Sequence, residues 1–113
     1  MMGGVSTFAV TIDIVTDIQL TDDQARDVAA GWAAAAGLDL GMTSTRGDQP
    51  WLRVSAVSAR RGDSPAMLAR DSASALLSEL SRVDATVAEW LAVEVLHERE
   101  IQRRGRRPEI RLG

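Results

Sequence analysis

The sequence predicts a two-layer α+β sandwich, in which one antiparallel sheet is covered on one side by two helices. Apolar residues alternate with period two in several segments and recur at helical spacing in two others. Turn-forming residues separate these segments. A length of 113 residues, with 45% hydrophobic and 26% charged residues, fits one globular domain.

Residues 7–15 predict the first strand. Phe8, Val10, Ile12 and Ile14 alternate with polar or small residues, which is typical of a strand with one buried face. The opposite face would carry Thr7, Ala9, Thr11 and Asp13.

A capping box at residues 21–24 predicts the start of the first helix. Thr21 can accept a hydrogen bond from the amide of Gln24, whose side chain can reach back to the amide of Thr21. Apolar residues then repeat at helical spacing as far as Gly37, which can adopt the left-handed conformation that ends a helix.

Residues 38–42 and 51–59 predict a hairpin joined by a polar turn. In the first of these strands Leu38, Leu40 and Met42 alternate and are expected to share a face. The second strand alternates Leu52 and Val54 with Trp51 and Arg53.

The second helix should begin after Ser64, because a serine cap followed by Pro65 is a common helix start. It should end near Arg82. Residues 86–96 are ambiguous between strand and helix, and their three valines and one threonine favour a strand.

The resulting order of elements is βαββαβ. Short right-handed connections fold it most simply into a ferredoxin-like topology with a four-stranded antiparallel sheet. We expect this domain to span residues 1–98, and residues 99–113 to form a basic, partly mobile C-terminal tail.

One face of such a sheet stays open. Asp13 and Arg53 should form a cross-strand ion pair there. The last strand is apolar on both sides, which a lone domain cannot bury, so an interface is expected. Its predicted residues are Trp90, Ala92, Leu96 and Trp51. Sheet-to-sheet or edge-to-edge homodimerisation is the favoured explanation, and a folded-back tail or an apolar ligand are the alternatives.

Charge is divided unevenly along the chain. Residues 1–96 contain 7 Arg and 13 acidic residues, whereas residues 97–113 contain 6 Arg and 3 Glu. A tail of this kind could contact phosphates or an acidic partner, protein or nucleic acid, through Arg103, Arg104, Arg106 and Arg107. No aromatic residue is interleaved with these arginines for base stacking.

No catalytic, metal or cofactor motif is apparent. The chain has no Cys and a single His, His97, which is expected to be exposed and structural. Asp13, Asp17, Asp22 and Asp23 lie close in sequence, but they lack the spacing of a calcium loop. The glycines match no dinucleotide or phosphate loop. We therefore expect no cofactor and no metal.

These observations favour a non-catalytic binding or regulatory module, homodimeric, with a basic tail. One alternative is a small cofactor-free enzyme of the dimeric ferredoxin-like type, using Asp13, Arg53, Trp51 and His97. Another is an accessory protein of a phage or mobile element. The absence of Lys, Asn and Tyr indicates a high-GC bacterium or phage. Without a secretory signal or a membrane span, we expect a cytoplasmic location.

Overall fold

A computed structural model describes residues 6–60 and 64–97. All neighbouring strands pair antiparallel, in the sheet order β2-β3-β1-β4. This is the ferredoxin-like topology, so the predicted fold class is confirmed and residues 87–97 are extended. The elements are β1 (Ser6–Thr16), α1 (Asp22–Ala36), β2 (Asp39–Arg46), β3 (Gln49–Arg60), α2 (Pro65–Ser81) and β4 (Val87–His97).

Both helices begin where their caps predict. The Thr21 hydroxyl accepts from the Gln24 amide at 3.1 Å, and the Gln24 side chain accepts from the Thr21 amide at 3.0 Å. Gly37 ends α1 in the left-handed conformation, with φ 71°. Ser64 caps α2 by accepting from the Met67 amide at 3.1 Å.

The core lies between the helices and one face of the sheet. Val10, Ile12 and Ile14 of β1 are fully buried, as their alternation predicts. The largest buried side chain is Trp32 of α1, whose indole Nε1 donates to the carbonyl of Ser72 in α2 at 2.9 Å. This bond satisfies the indole nitrogen and ties the two helices together. Among the described residues, no helix is long and apolar enough to cross a membrane.

A bulge in β2 changes which residues share a face. The register shifts between Leu40 and Met42, so Leu40 lies opposite buried Ala56 whereas Met42 lies opposite Ser55 of the other face. A Cβ atom on the intervening Gly41 would come within 3.3 Å of the Ser55 carbonyl oxygen. The expectation that Leu40 and Met42 share a face was therefore wrong, because one extra residue inverts the alternation.

β4 contains two such irregularities. Its register with β1 shifts between Asp13 and Ile14, where Leu91 is the extra residue, and again between Val15 and Thr16. Ala92 consequently lies opposite Asp13, whereas Trp90 lies opposite Ile14 on the face that the helices cover. Strict alternation along β4 would place Trp90 on the same face as Ala92 and Leu96, and this is wrong for the same physical reason.

The turn between α2 and β4 contains a residue with positive φ. Asp84 has φ 58°, a conformation that costs a side chain with a Cβ atom more than it costs glycine. We predict that Asp84→Gly is more stable than Asp84→Ala by about 1 kcal/mol in urea unfolding, with Asp84→Asn between them. Equal stability of the Gly and Ala variants would show that this turn carries no backbone strain.

Candidate functional site

The uncovered side of the sheet, which we call the open face, presents its side chains in rows across the strands, and four of these rows reach β4. Cross-strand partners stand side by side on one face of a sheet, so the pairing register defines these rows. The first is Asp39, Val57, Ala9 and Leu96, the second Met42, Ser55, Thr11 and Glu94, the third Ser44, Arg53, Asp13 and Ala92, and the fourth Trp51, Val15 and Glu89.

An ion pair lies at the centre of the open face. The Arg53 Nε and Nη2 atoms donate to the two carboxylate oxygens of Asp13, at 2.5 and 2.8 Å. The Asp13 side chain is only 14% exposed, and the hydrogen bond and charge of Asp13 raise the pKa of Arg53. The predicted pair is confirmed. Because both oxygens of Asp13 accept from one guanidinium, its carboxylate is poorly placed to act as a general base.

Two arginines stack on the single aromatic ring of the open face. The guanidinium carbon of Arg46 lies 4.4 Å from the ring centroid of Trp51, and that of Arg53 lies 5.3 Å from it. Arg46 also donates to the Gln49 side chain at 3.3 Å. The backbone of Arg46 pairs with Gln49, beyond the fourth row, and the cation–π contact brings its guanidinium back over Trp51 to the β2 end of that row.

The other end of the open face is largely apolar. Val57 is 43% exposed and shares its row with Ala9 and Leu96, and Met42 in the next row is 60% exposed. Between this end and the ion pair lies a hollow of about 540 Å³ that is open to solvent. It is bordered on the β4 side by Ala92 and Glu94. The open face can therefore take a large, flat surface more readily than it can enclose a small molecule.

The four candidate catalytic residues are not brought together. Asp13, Arg53 and Trp51 are neighbours on the open face, but His97 lies opposite Phe8 on the face that the helices cover. The His97 ring meets the Phe8 ring edge-on, with centroids 5.3 Å apart. His97 is half-buried, so the expectation of an exposed histidine was wrong. Because successive residues of a strand point to opposite faces, the position of Leu96 on the open face would have predicted that His97 lies on the other face.

The four acids that cluster in sequence have separate partners. Asp13 pairs with Arg53, Asp23 accepts from Arg26 at 2.6 Å, and Asp22 accepts from the Thr45 hydroxyl at 3.0 Å. Asp17 accepts from the backbone amide of Thr86 at 2.7 Å. Across residues 6–60 and 64–97, no group of three or more His, Asp or Glu residues could hold a metal ion.

The predicted interface residues divide between two places. Trp51, Ala92 and Leu96 belong to the rows of the open face, whereas Trp90 is 41% exposed at the β4 edge of the helix-covered face. The predicted tail contacts Arg103, Arg104, Arg106 and Arg107 lie outside the described residues. Sequence reasoning missed Arg46 and Glu89, the charged ends of the fourth row, because their positions depend on register shifts near both sheet edges.

No protein-family model and no curated protein matches this chain. Among solved structures, the chain is similar to the C-terminal domain of the MgtC protein from Mycobacterium tuberculosis, determined in solution. The two share 18% sequence identity with a TM-score of 0.42, over 86% of this chain and 92% of that domain. A likeness of that size carries no argument about function.

Acid should weaken the contact between the end of β1 and the start of β4. The hydrogen bond from the Thr86 amide lowers the pKa of Asp17 below its ordinary value of 3.8, so the folded state binds this proton less readily than the unfolded state. The resulting stabilisation is present above that value and is lost as the pH falls through the lowered pKa. We predict that Asp17→Asn is less stable than the original protein near neutral pH, and that urea unfolding shows the difference shrinking below about pH 4. A difference that is constant from pH 7 to pH 2 would contradict this assignment.

Proposed function

We propose that this chain is a non-catalytic binding module that works as a homodimer through its open face and reaches an acidic partner with its basic C-terminal segment. The observation that carries the proposal is the composition of the open face. Val57 is exposed at one end and lies beside half-buried Ala9 and Leu96, next to charges that already neutralise one another at the centre. Exposed apolar surface of this kind is typical of an interface.

The sheet edges support face-to-face rather than edge-to-edge association. β2 and β4 are the two edge strands, and both carry register shifts. Bulges twist an edge away from regular pairing and are a common device against edge-to-edge contact. The central strands β1 and β3 pair with each other without a register shift, so the middle of the open face offers a regular surface to a partner.

The polar groups on the open face suit recognition better than catalysis. Asp13 and Arg53 satisfy each other, and the Thr11 and Ser55 hydroxyls lie 3.3 Å apart, within hydrogen-bond distance. A cofactor-free enzyme would need an available base beside a closed pocket. The hollow beside Asp13 is open, and His97 lies on the other side of the sheet.

The role of the C-terminal segment follows from its charge. Six arginines and three glutamates follow residue 96, whereas the preceding residues carry a net negative charge. Guanidinium groups bind carboxylates and phosphates with paired hydrogen bonds. In a homodimer two such segments would act together, which raises the avidity for an acidic partner.

Self-association should depend on Val57. We predict that Val57→Glu abolishes dimerisation in sedimentation equilibrium, because it buries an unpaired charge at the interface. Val57→Thr, which keeps the β-branched shape, should only weaken it.

Two further variants make the test specific. Met67→Glu adds the same charge at a side chain that is 56% exposed on α2, where it completes a capping box with Ser64, and it should leave dimerisation intact. Loss of the dimer in Trp90→Glu but not in Val57→Glu would transfer the interface to the β4 edge. An unmodified protein that is monomeric at high micromolar concentration would refute the dimer.

Binding to acidic partners should require the C-terminal segment. We predict that deletion of residues 99–113 removes the salt-dependent binding of a labelled single-stranded oligonucleotide or an oligoglutamate peptide, as measured by fluorescence anisotropy. Binding to the oligonucleotide alone would identify a nucleic-acid partner, and binding to the peptide alone a protein partner. Undiminished binding by the shortened chain, or no binding by either chain at low salt, would contradict the proposed role.

A further inference from the structure

We infer that two copies stack open face to open face about a two-fold axis parallel to the strands, so that Arg46 of one copy meets Glu89 of the other. This inference rests on the homodimer proposed above and adds its geometry. It follows from the distribution of charge on the open face and from the symmetry that a two-fold axis imposes.

Positive and negative charges occupy opposite halves of the open face. Both of its arginines, Arg46 and Arg53, are on β2 and β3. Three of its four acids, Asp13, Glu89 and Glu94, are on β1 and β4. The fourth acid is Asp39, at the start of β2. Each copy therefore presents a basic half beside an acidic half.

A two-fold axis between two facing sheets lies in the plane of contact. It brings each side chain of one copy against the residue of the second copy that lies equally far on the other side of the axis. An axis parallel to the strands, between β1 and β3, exchanges β2 with β4 and β3 with β1. Within one row, the first position then meets the fourth and the second meets the third. This is the aligned arrangement that packed sheets commonly adopt.

This axis brings opposite charges together in the third and fourth rows, whereas in the first two rows Asp39 meets Leu96 and Met42 meets Glu94 of the second copy. Arg46 meets Glu89 of the second copy in the fourth row, and Arg53 meets Asp13 of the second copy in the third, so each central ion pair faces one of reversed orientation. In the first row Val57 meets Ala9 of the second copy. No acid faces an acid and no arginine faces an arginine, which is the condition for favourable electrostatics across an interface.

Other two-fold axes fit the same surface less well. An axis across the strands matches the first row with the fourth, so it brings Arg46 onto Asp39 of the second copy but moves Arg53 from Asp13 to Ser55 and loses that contact between opposite charges. One axis that runs diagonally across the strands would place Asp39 against Asp39 of the second copy. The other diagonal axis would place Asp39 against Glu89 of the second copy. Both diagonal arrangements oppose like charges, which is unfavourable.

The available area is compatible with a dimer. Four strands spaced about 4.8 Å apart, with lengths of eight to twelve residues, give an open face of roughly 500–700 Å² per copy. Stable interfaces bury about 800 Å² per partner, and specific contacts rather than area determine affinity. We therefore expect a dissociation constant in the micromolar range.

A charge-reversal mixing experiment tests the geometry. Arg46→Glu and Glu89→Arg each create like-charge contacts at both symmetry-related positions of a homodimer, and each should weaken self-association at least about tenfold at low ionic strength. An equimolar mixture of the two variants restores Arg–Glu contacts at both positions. Native mass spectrometry, which distinguishes the variants by mass, should show the heterodimer in excess over either homodimer.

Rescue in the mixture cannot arise within one chain. Arg46 and Glu89 lie at opposite edges of the sheet, three strand spacings or about 14 Å apart. The matched control mixes Arg46→Glu with Asp39→Arg, because an axis across the strands would place these two positions in contact. An excess of the heterodimer in this control, with no excess in the first mixture, would overturn the inferred axis.

The outcomes also separate this inference from the proposed function. If the unmodified protein dimerises and neither mixture favours the heterodimer, the inferred axis is wrong and the homodimer stands. If the unmodified protein stays monomeric at high micromolar concentration, the homodimer itself is wrong. Retention of full dimerisation by both single variants would place Arg46 and Glu89 outside the contact.

Discussion

Two helices have to cover a sheet of four strands, and in this topology both lie on the same side of it. α1 packs mainly on β2 and α2 on β4, joined by the bond from the Trp32 indole to Ser72. The residues that alternate with the core positions of β1 and β3 consequently stand on an uncovered surface. The ion pair, the arginine–tryptophan stack and the apolar residues of the first row all follow from that one-sided coverage.

The opposite charges at the centre of the open face pair with each other. That surface can therefore be exposed to water and still bind a partner. Asp13 holds Arg53 in place, and Arg53 together with Arg46 flanks Trp51. A neutralised centre beside exposed apolar side chains costs less to desolvate than isolated charges would. We therefore see recognition of another surface, in our proposal a second copy, as the best use of this arrangement.

Much of the fold could be predicted because its signals are local. The capping box at Thr21, the left-handed Gly37 and the Ser64 cap each specify a helix boundary from a few adjacent residues. The alternation of β1 predicted its buried face, and the position of Arg53 opposite Asp13 followed from the topology.

The bulges could not be predicted, because an extra residue is defined only by the strand opposite it. Gly41 and Leu91 interrupt the alternation of β2 and β4, and each inverts the faces of the residues before it. Trp90 was misplaced for this reason. Arg46 and Glu89 were not considered as site residues, although they are the charges that the inferred two-fold axis brings together.

In our proposal the open face is an interface between copies of this chain. Isotope-filtered nuclear Overhauser spectroscopy on an equal mixture of ¹³C-labelled and unlabelled protein tests it most directly, because it detects only contacts between copies. We predict cross-peaks from the Val57 methyl groups of one copy to the Ala9 methyl group of the other. Contacts between copies confined to Trp90 and Val93 at the β4 edge, or none at a concentration where the protein is dimeric, would contradict it.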